Sequence, residues 1–334
     1  MTRKIRGLLF LSLFLLIAAL FSLCIGRLSV TPGQVWQSIS GHITGGDLPS
    51  KQTELVLWKI RMPRILLAML AGAGLSVSGC AFQSLFANPL ATPDTLGVAS
   101  GASFGAALAL LFGAGMISVQ ISSILFGILA VVLTVLTGSG RKGKGLSGIV
   151  LGGIMIGSLF SALISLVKFS ADTDDQLPAI TFWLMGSLSS ANYKSLAIGA
   201  PVILTGILIL YLLRWRLNLL PLNEEEARAT GVNIRVLQGV TILCATGITA
   251  SVISMCGQVG WVGLLVPHIC RMIFGSNHTE LIPASILAGG GFLIVVDTLA
   301  RSVSASELPI SILTAIIGAP FFIFLMRRNE GDLL

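Results

Sequence analysis

Ten stretches of this chain are apolar over about the length an α-helix needs to cross a bilayer, roughly 20 residues rising 1.5 Å each. They lie near 7–28, 62–84, 94–113, 117–138, 146–169, 192–213, 234–256, 259–274, 281–300 and 308–326. Lipid offers no hydrogen-bond partner to a bare backbone, so a spanning segment must satisfy its own N–H and C=O groups. The expected fold is therefore all-α and polytopic, one transmembrane domain of about ten helices over residues 1–334. Composition agrees: 54% of residues are hydrophobic and 10% charged, against about 25% charged in an ordinary soluble domain. The eighth stretch is short and is expected to break at Pro267. The first follows a basic start, as a secretory signal would, but it is long enough to span and lacks a small-residue cleavage site, so it reads as an uncleaved span.

A net charge of +7 raises nucleic acid as a partner. The basic residues instead sit between apolar runs without a recognisable binding motif, which excludes that class. Their placement gives an orientation, because cytoplasmic loops retain Lys and Arg. With the N-terminus inside, 13 of the 21 basic residues fall on the cytoplasmic side, and an even number of spans returns the C-terminus there. The five cysteines lie in or beside apolar runs without CxxC spacing, and no two of His42, His268 and His278 share a helical face. No metal site is expected.

The stretch "GSGRKGKGLS", Gly138–Ser147, nearly matches a phosphate-cradling loop, but Gly145 stands where that motif needs Ser or Thr. Lying between two spans with no strand before it, it reads as a positively charged inner loop.

Glycine clusters in "LAGAGLSVSG", "GVASGASFGAAL", "GIVLGGIMIG" and "LAGGGFLIV" are expected to let helix backbones approach closely; some could instead line a passage. Two segments interrupt the helical pattern, Asn88–Gly97 and Gly257–His268. Irregular backbone at membrane depth survives only against protein or a water-filled cavity, so both point to a transport path. The candidates for that path are Gln83, Asn88, Pro89, Gly97, Gly101, Pro267 and His268. The two breaks lie five spans apart, as in an inverted repeat, although the halves share no evident residue pattern.

The longest polar interruption on the inner side is "LNEEEARATGVNI", residues 222–234. Asn223 suits an N-cap, Glu224, Glu225 and Glu226 suit a first turn, and Gly231 suits a C-cap. A short surface helix is expected, either a connector or a docking element. On the outer side, Arg61, Arg64 and Arg301 read as interface anchors or as a patch for carboxylates.

The segments "IRMPRILLAMLAGAGLSVSG", "NPLATPDTLGVASGA", "EEARATGV", "GWVGLLVPHICR" and "ARSVSASELPISILTAIIGAPFFIFL" together resemble the permease subunit of the FecCD family, the iron-siderophore, haem and cobalamin importers of the type II ABC class. The resemblance covers nearly the whole chain. It implies a type II ABC importer permease fold in a bacterial cytoplasmic membrane, paired with a second permease copy, two cytoplasmic ATPase subunits that bind ATP and magnesium, and an extracytoplasmic binding protein. It also implies that Arg61, Arg64 and Arg301 meet glutamates of the binding protein. Glu224, Glu225, Glu226, Ala227, Arg228, Ala229, Thr230 and Gly231 would form the helix that couples to the ATPase. Asn223 and Trp261 depart from the family's commoner Gly and Phe. The implied cargo is a ferric siderophore or similar chelate, with haem, cobalamin or an oxyanion as alternatives.

Two other classes compete. An intramembrane enzyme would need clustered acids or a nucleophile with a base, whereas Asp297 has only Arg301 as a nearby candidate partner. An ion-coupled transporter would carry several ionisable groups at membrane depth, and such groups are scarce here.

Overall fold

The computed structural model describes residues 2–26, 28–138, 145–222, 226, 229–303 and 307–330. Every regular element among them is helical. In chain order they are α1 (Thr2–Cys24), α2 (Pro32–Thr44), α3 (Lys51–Leu55), α4 (Met62–Leu85), α5 (Val98–Leu111), α6 (Met116–Gly138), α7 (Gly145–Ser170), α8 (Gln176–Leu184), α9 (Tyr193–Leu212), α10 (Ile234–Cys256), α11 (Val262–Phe274), α12 (His278–Ala300) and α13 (Ile310–Glu330). A π-helical turn, Val56–Arg61, joins α3 to α4 into one rod.

Among the described residues, seven helices are long and apolar enough to cross a membrane, and α5, α11 and α13 are shorter apolar helices. Together they coincide with the ten expected spans. Contacts at the two ends of the bundle fix the relative direction of its first and ninth spans. Lys4 pairs with Glu280 at 2.5 Å, while Ser22 at the other end of α1 meets Arg301. Thus α1 and α12, the first and ninth spans, run parallel along their length, as alternating crossings require.

The core is built around α4, most of whose residues are buried, and close backbone contact holds it there. A Cβ added to Gly72 would lie 2.1 Å from the Gly289 carbonyl oxygen on α12, and one added to Gly79 would lie 1.7 Å from that of Gly263 on α11. No larger side chain fits either crossing. The glycine clusters on α4 and α12 therefore serve helix packing, driven by dispersion where lipid supplies no hydrophobic force.

Three features differ from expectation. Helix α11 continues through Pro267, which is buried inside it; the interruption falls earlier, at Gly257–Trp261. Helices α2 and α8 are additional short elements at the ends of spans. Helix α2 opens with Pro32 at its first turn and a reciprocal capping box between Thr31 and Gln34.

Candidate functional site

Three polar regions interrupt the apolar bundle. The first lies where α1 and α12 end and α4 begins. Arg64, 5% exposed, directs Nε to both oxygens of Asp297 at 2.9 and 3.0 Å. Its Nη2 meets Asp297 Oδ1 at 2.8 Å, and its Nη1 donates to both oxygens of Glu307 at 2.9 and 3.0 Å. One guanidinium thereby ties α4 to α12 and to the segment leading into α13. Arg301 donates Nη2 to the carbonyl and hydroxyl of Ser22 at 2.5 and 2.6 Å, with Nε 3.8 Å from Asp297. Burial lowers the Arg301 pKa to about 10, opposed by Asp297, so the guanidinium stays charged at neutral pH. Arg61 donates to the carbonyls of Leu23 and Leu28.

The three arginines do stand together at one end, but as a buried network bonded within the chain, in which Arg301 Nε alone of the described guanidinium nitrogens is buried without a hydrogen-bond partner. Asp297 pairs most closely with Arg64. The interface-anchor reading is incomplete for all three, because each guanidinium is held by the chain itself.

The second region brings the two interrupted segments to one cavity. Residues Thr92, Pro93 and Asp94 from the first, and Gln258, Val259, Gly260 and Trp261 from the second, line a space of about 340 Å³ beside Leu75, midway along α4. The first segment turns through Asn88, whose side chain accepts from the Leu90 amide at 2.9 Å. It closes at Gly97, φ +75°, where a Cβ would come within 3.1 Å of the Gly157 amide on α7. In the second segment Trp261 has φ +67°, a conformation that costs a bulky residue about 1–3 kcal/mol. Its ring is held against Gly318 and lies 6.2 Å from Phe322, so packing on α13 offsets the strain. Asp94 is exposed to this cavity.

The third region lies at the opposite end from the arginine network. A cleft of about 550 Å³ is lined by Gln83, Asn88, Pro89, Asn218, Arg271 and His278 among others. Arg271 Nη2 donates to Gln83 Oε1 at 2.7 Å. Asn218 Oδ1 accepts from the His278 amide at 2.9 Å and lies 2.8 Å from its ring Nδ1, while the Ser84 hydroxyl contacts Nε2.

The expected pathway residues therefore divide. Gln83, Asn88 and Pro89 gather at this cleft, and Gly97 shapes the first interruption. Gly101 instead packs on α6, where a Cβ would lie 2.6 Å from the Phe126 carbonyl. Pro267 is buried in α11, and His268 lies 5.4 Å from the Phe322 ring. Sequence reasoning missed Asn218, Arg271, His278 and Glu307, whose partners lie far away along the chain, and Asp94, which reaches the cavity only through the folded arrangement of its segment. Of the 222–234 segment, Glu226 and Ala229 are helical and Gly231 takes φ +74°, the geometry of a helix-ending glycine. Asn223, Glu224, Glu225, Ala227 and Arg228, and residues 139–144 of the basic loop, lie outside the described residues. Among those described, no three His, Cys, Asp or Glu side chains group as a metal site.

A bundle of apolar spans with two interrupted segments meeting at one internal cavity defines a polytopic membrane protein of the transporter class. Residues 14–328 match the FecCD transport family, and the chain belongs to that family. It is 42% identical over 324 residues to the molybdate import system permease protein MolB of Haemophilus influenzae, covering 97% of this chain and 96% of that protein. It is 34% identical to a permease assigned to iron chelatin transport in Helicobacter pylori, covering 89% and 90%. A solved structure assigned to the metal-chelate type of ABC transporter, in an inward-facing conformation, superposes with TM-score 0.87 at 40% identity, covering 96% of this chain and 98% of that one.

Proposed function

We propose that this chain is the permease subunit of an ATP-driven importer, carrying a metal-bearing cargo across a bacterial cytoplasmic membrane. The meeting of the two interrupted segments at the mid-bundle cavity carries this reading. The family supports the transport class, and the named relatives support a metal chelate as cargo. A molybdate-class oxyanion is the second reading, favoured by the 42% identity to a molybdate permease. Two copies would enclose the path, with two ATPase subunits at the end bearing residues 222–234 and a binding protein at the arginine end. The distribution of basic residues supports a cytoplasmic position for both termini.

In this scheme Glu307, its side chain 30% exposed, occupies one edge of the Arg64 guanidinium. A carboxylate of the docking protein would take that edge in its place, while buried Asp297 keeps the other. Residues Glu224–Gly231 would transmit ATPase closure, each ligand favouring one packing of the bundle by its differential affinity for the two states.

The test is co-expression with the cognate ATPase and binding protein, followed by native mass spectrometry of cargo on the binding protein and uptake of that cargo into proteoliposomes. ATP-dependent uptake supports the reading. Uptake by the permease alone would refute it in favour of an ion-coupled transporter.

A further inference from the structure

We infer that the cleft bounded by Gln83, Asn88, Asn218, Arg271, Asn277 and His278 is a binding site for a tetrahedral oxyanion. Three observations converge on this chemistry. First, the cleft contains a cation without a counter-ion: among the described residues Arg271 makes no ion pair, and its hydrogen bond goes to a neutral amide at 2.7 Å. Glu280 nearby is engaged by Lys4 at 2.5 Å. Second, among the described residues no Asp or Glu lines the cleft, whereas Asn88, Asn218, Asn277 and Ser276 line it with neutral polar groups. The local field is therefore positive, and the wall supplies donors. Third, Gln83 is 3% exposed and its Nε2 has no partner. Leaving such a donor unpaired costs about 1–3 kcal/mol.

Arg271 fixes the Gln83 carbonyl, which leaves the amide N–H₂ as the unused half of the pair. An anion in the cleft would accept from Arg271 through a charge-assisted bond. A turn of the Gln83 amide would then bring its spare donors onto a second oxygen. The volume of about 550 Å³ exceeds a single oxyanion and leaves room for its water or for the rest of a phosphorylated headgroup. Free oxyanion and lipid phosphate share this chemistry. The site depends on the importer reading only for its designation as the exit end of the path.

The experiment uses the full chain in phosphatidylcholine nanodiscs in low-salt buffer, titrated calorimetrically with sodium molybdate and with sodium phosphate. Retention of phosphatidylglycerol is followed by native mass spectrometry. Saturable binding is expected, weaker by about 10- to 100-fold in Arg271→Gln, the equivalent of one charge-assisted hydrogen bond, and largely restored in Arg271→Lys. If Arg271→Gln does not fold, Gln83→Met provides the second arm, with a several-fold loss expected. Arg271-dependent retention of phosphatidylglycerol without binding of either free anion would identify lipid as the source of the phosphate. No binding of any of the three, or binding unchanged in both variants, would overturn the inference. Because neither ATPase nor binding protein is present, that failure would leave the importer reading standing, and failed uptake would leave this site standing.

Discussion

Replacing Asp297 with Asn tests whether the arginine network holds the bundle together. Three guanidiniums, those of Arg61, Arg64 and Arg301, share this end with two carboxylates, and Asp297 is the buried one at 1% exposure. The variant removes half of the neutralising charge and leaves Arg64 with Glu307, a partner partly in water. Removing one member of a buried pair costs about 3–5 kcal/mol. At about 2–4 °C per kcal/mol, with a chain of this length toward the lower end, the apparent unfolding midpoint should fall by roughly 6–10 °C. The assay is the monodisperse fraction after graded heating in detergent, read by size-exclusion chromatography. Arg64→Met combined with Asp297→Leu restores the original charge balance and should recover at least half of the loss. Glu307→Gln, at a more solvated site, should cost about 1 kcal/mol or less. An Asp297→Asn protein as stable as the wild type, or a double variant no better than the single, would refute the reasoning.

The glycine crossings predict opposite signs for one substitution. Gly79→Ala forces a methyl against the Gly263 backbone and should destabilise by about 1–3 kcal/mol, whereas Gly239→Ala, with nothing within 4 Å, should stabilise by about 0.5–1 kcal/mol through helix propensity; the same heating assay reads both. Asp94→Asn should change the uptake rate without altering co-purification of the ATPase, because the acid faces the mid-bundle cavity; unchanged uptake would remove Asp94 from the path. Arg228→Glu should reduce ATPase co-purification and uptake together while leaving the isolated permease as stable as before, and normal values of both would reject the coupling assignment.

The crossings were legible because a span must be apolar for its full length, a local property. The pathway was legible in part for a similar reason: Asn88–Gly97 and Gly257–Trp261 break the pattern in place. Their convergence on one cavity is a tertiary fact, as are the bonds from Arg64 to Asp297 and Glu307, separated by 233 and 243 positions. Pro267 misled because a proline removes one helical hydrogen bond without ending a helix that packing holds on both sides. The positive φ of Trp261 carries no sequence signature. Helix α2 could have been found, since Thr31, Pro32 and Gln34 spell a capping box; its short, mixed composition hid it beside the longer apolar runs.

In the proposed route, cargo passes the cavity between the two interrupted segments and ATP drives it. The most direct measurement is cargo accumulation in proteoliposomes holding the assembled permease, ATPase and binding protein, comparing wild type with Ala315→Trp, which fills the cavity from α13. Accumulation should require ATP and should be lost in Ala315→Trp while assembly and ATP hydrolysis persist. Undiminished accumulation in that assembled variant, or accumulation without ATP, would contradict the account.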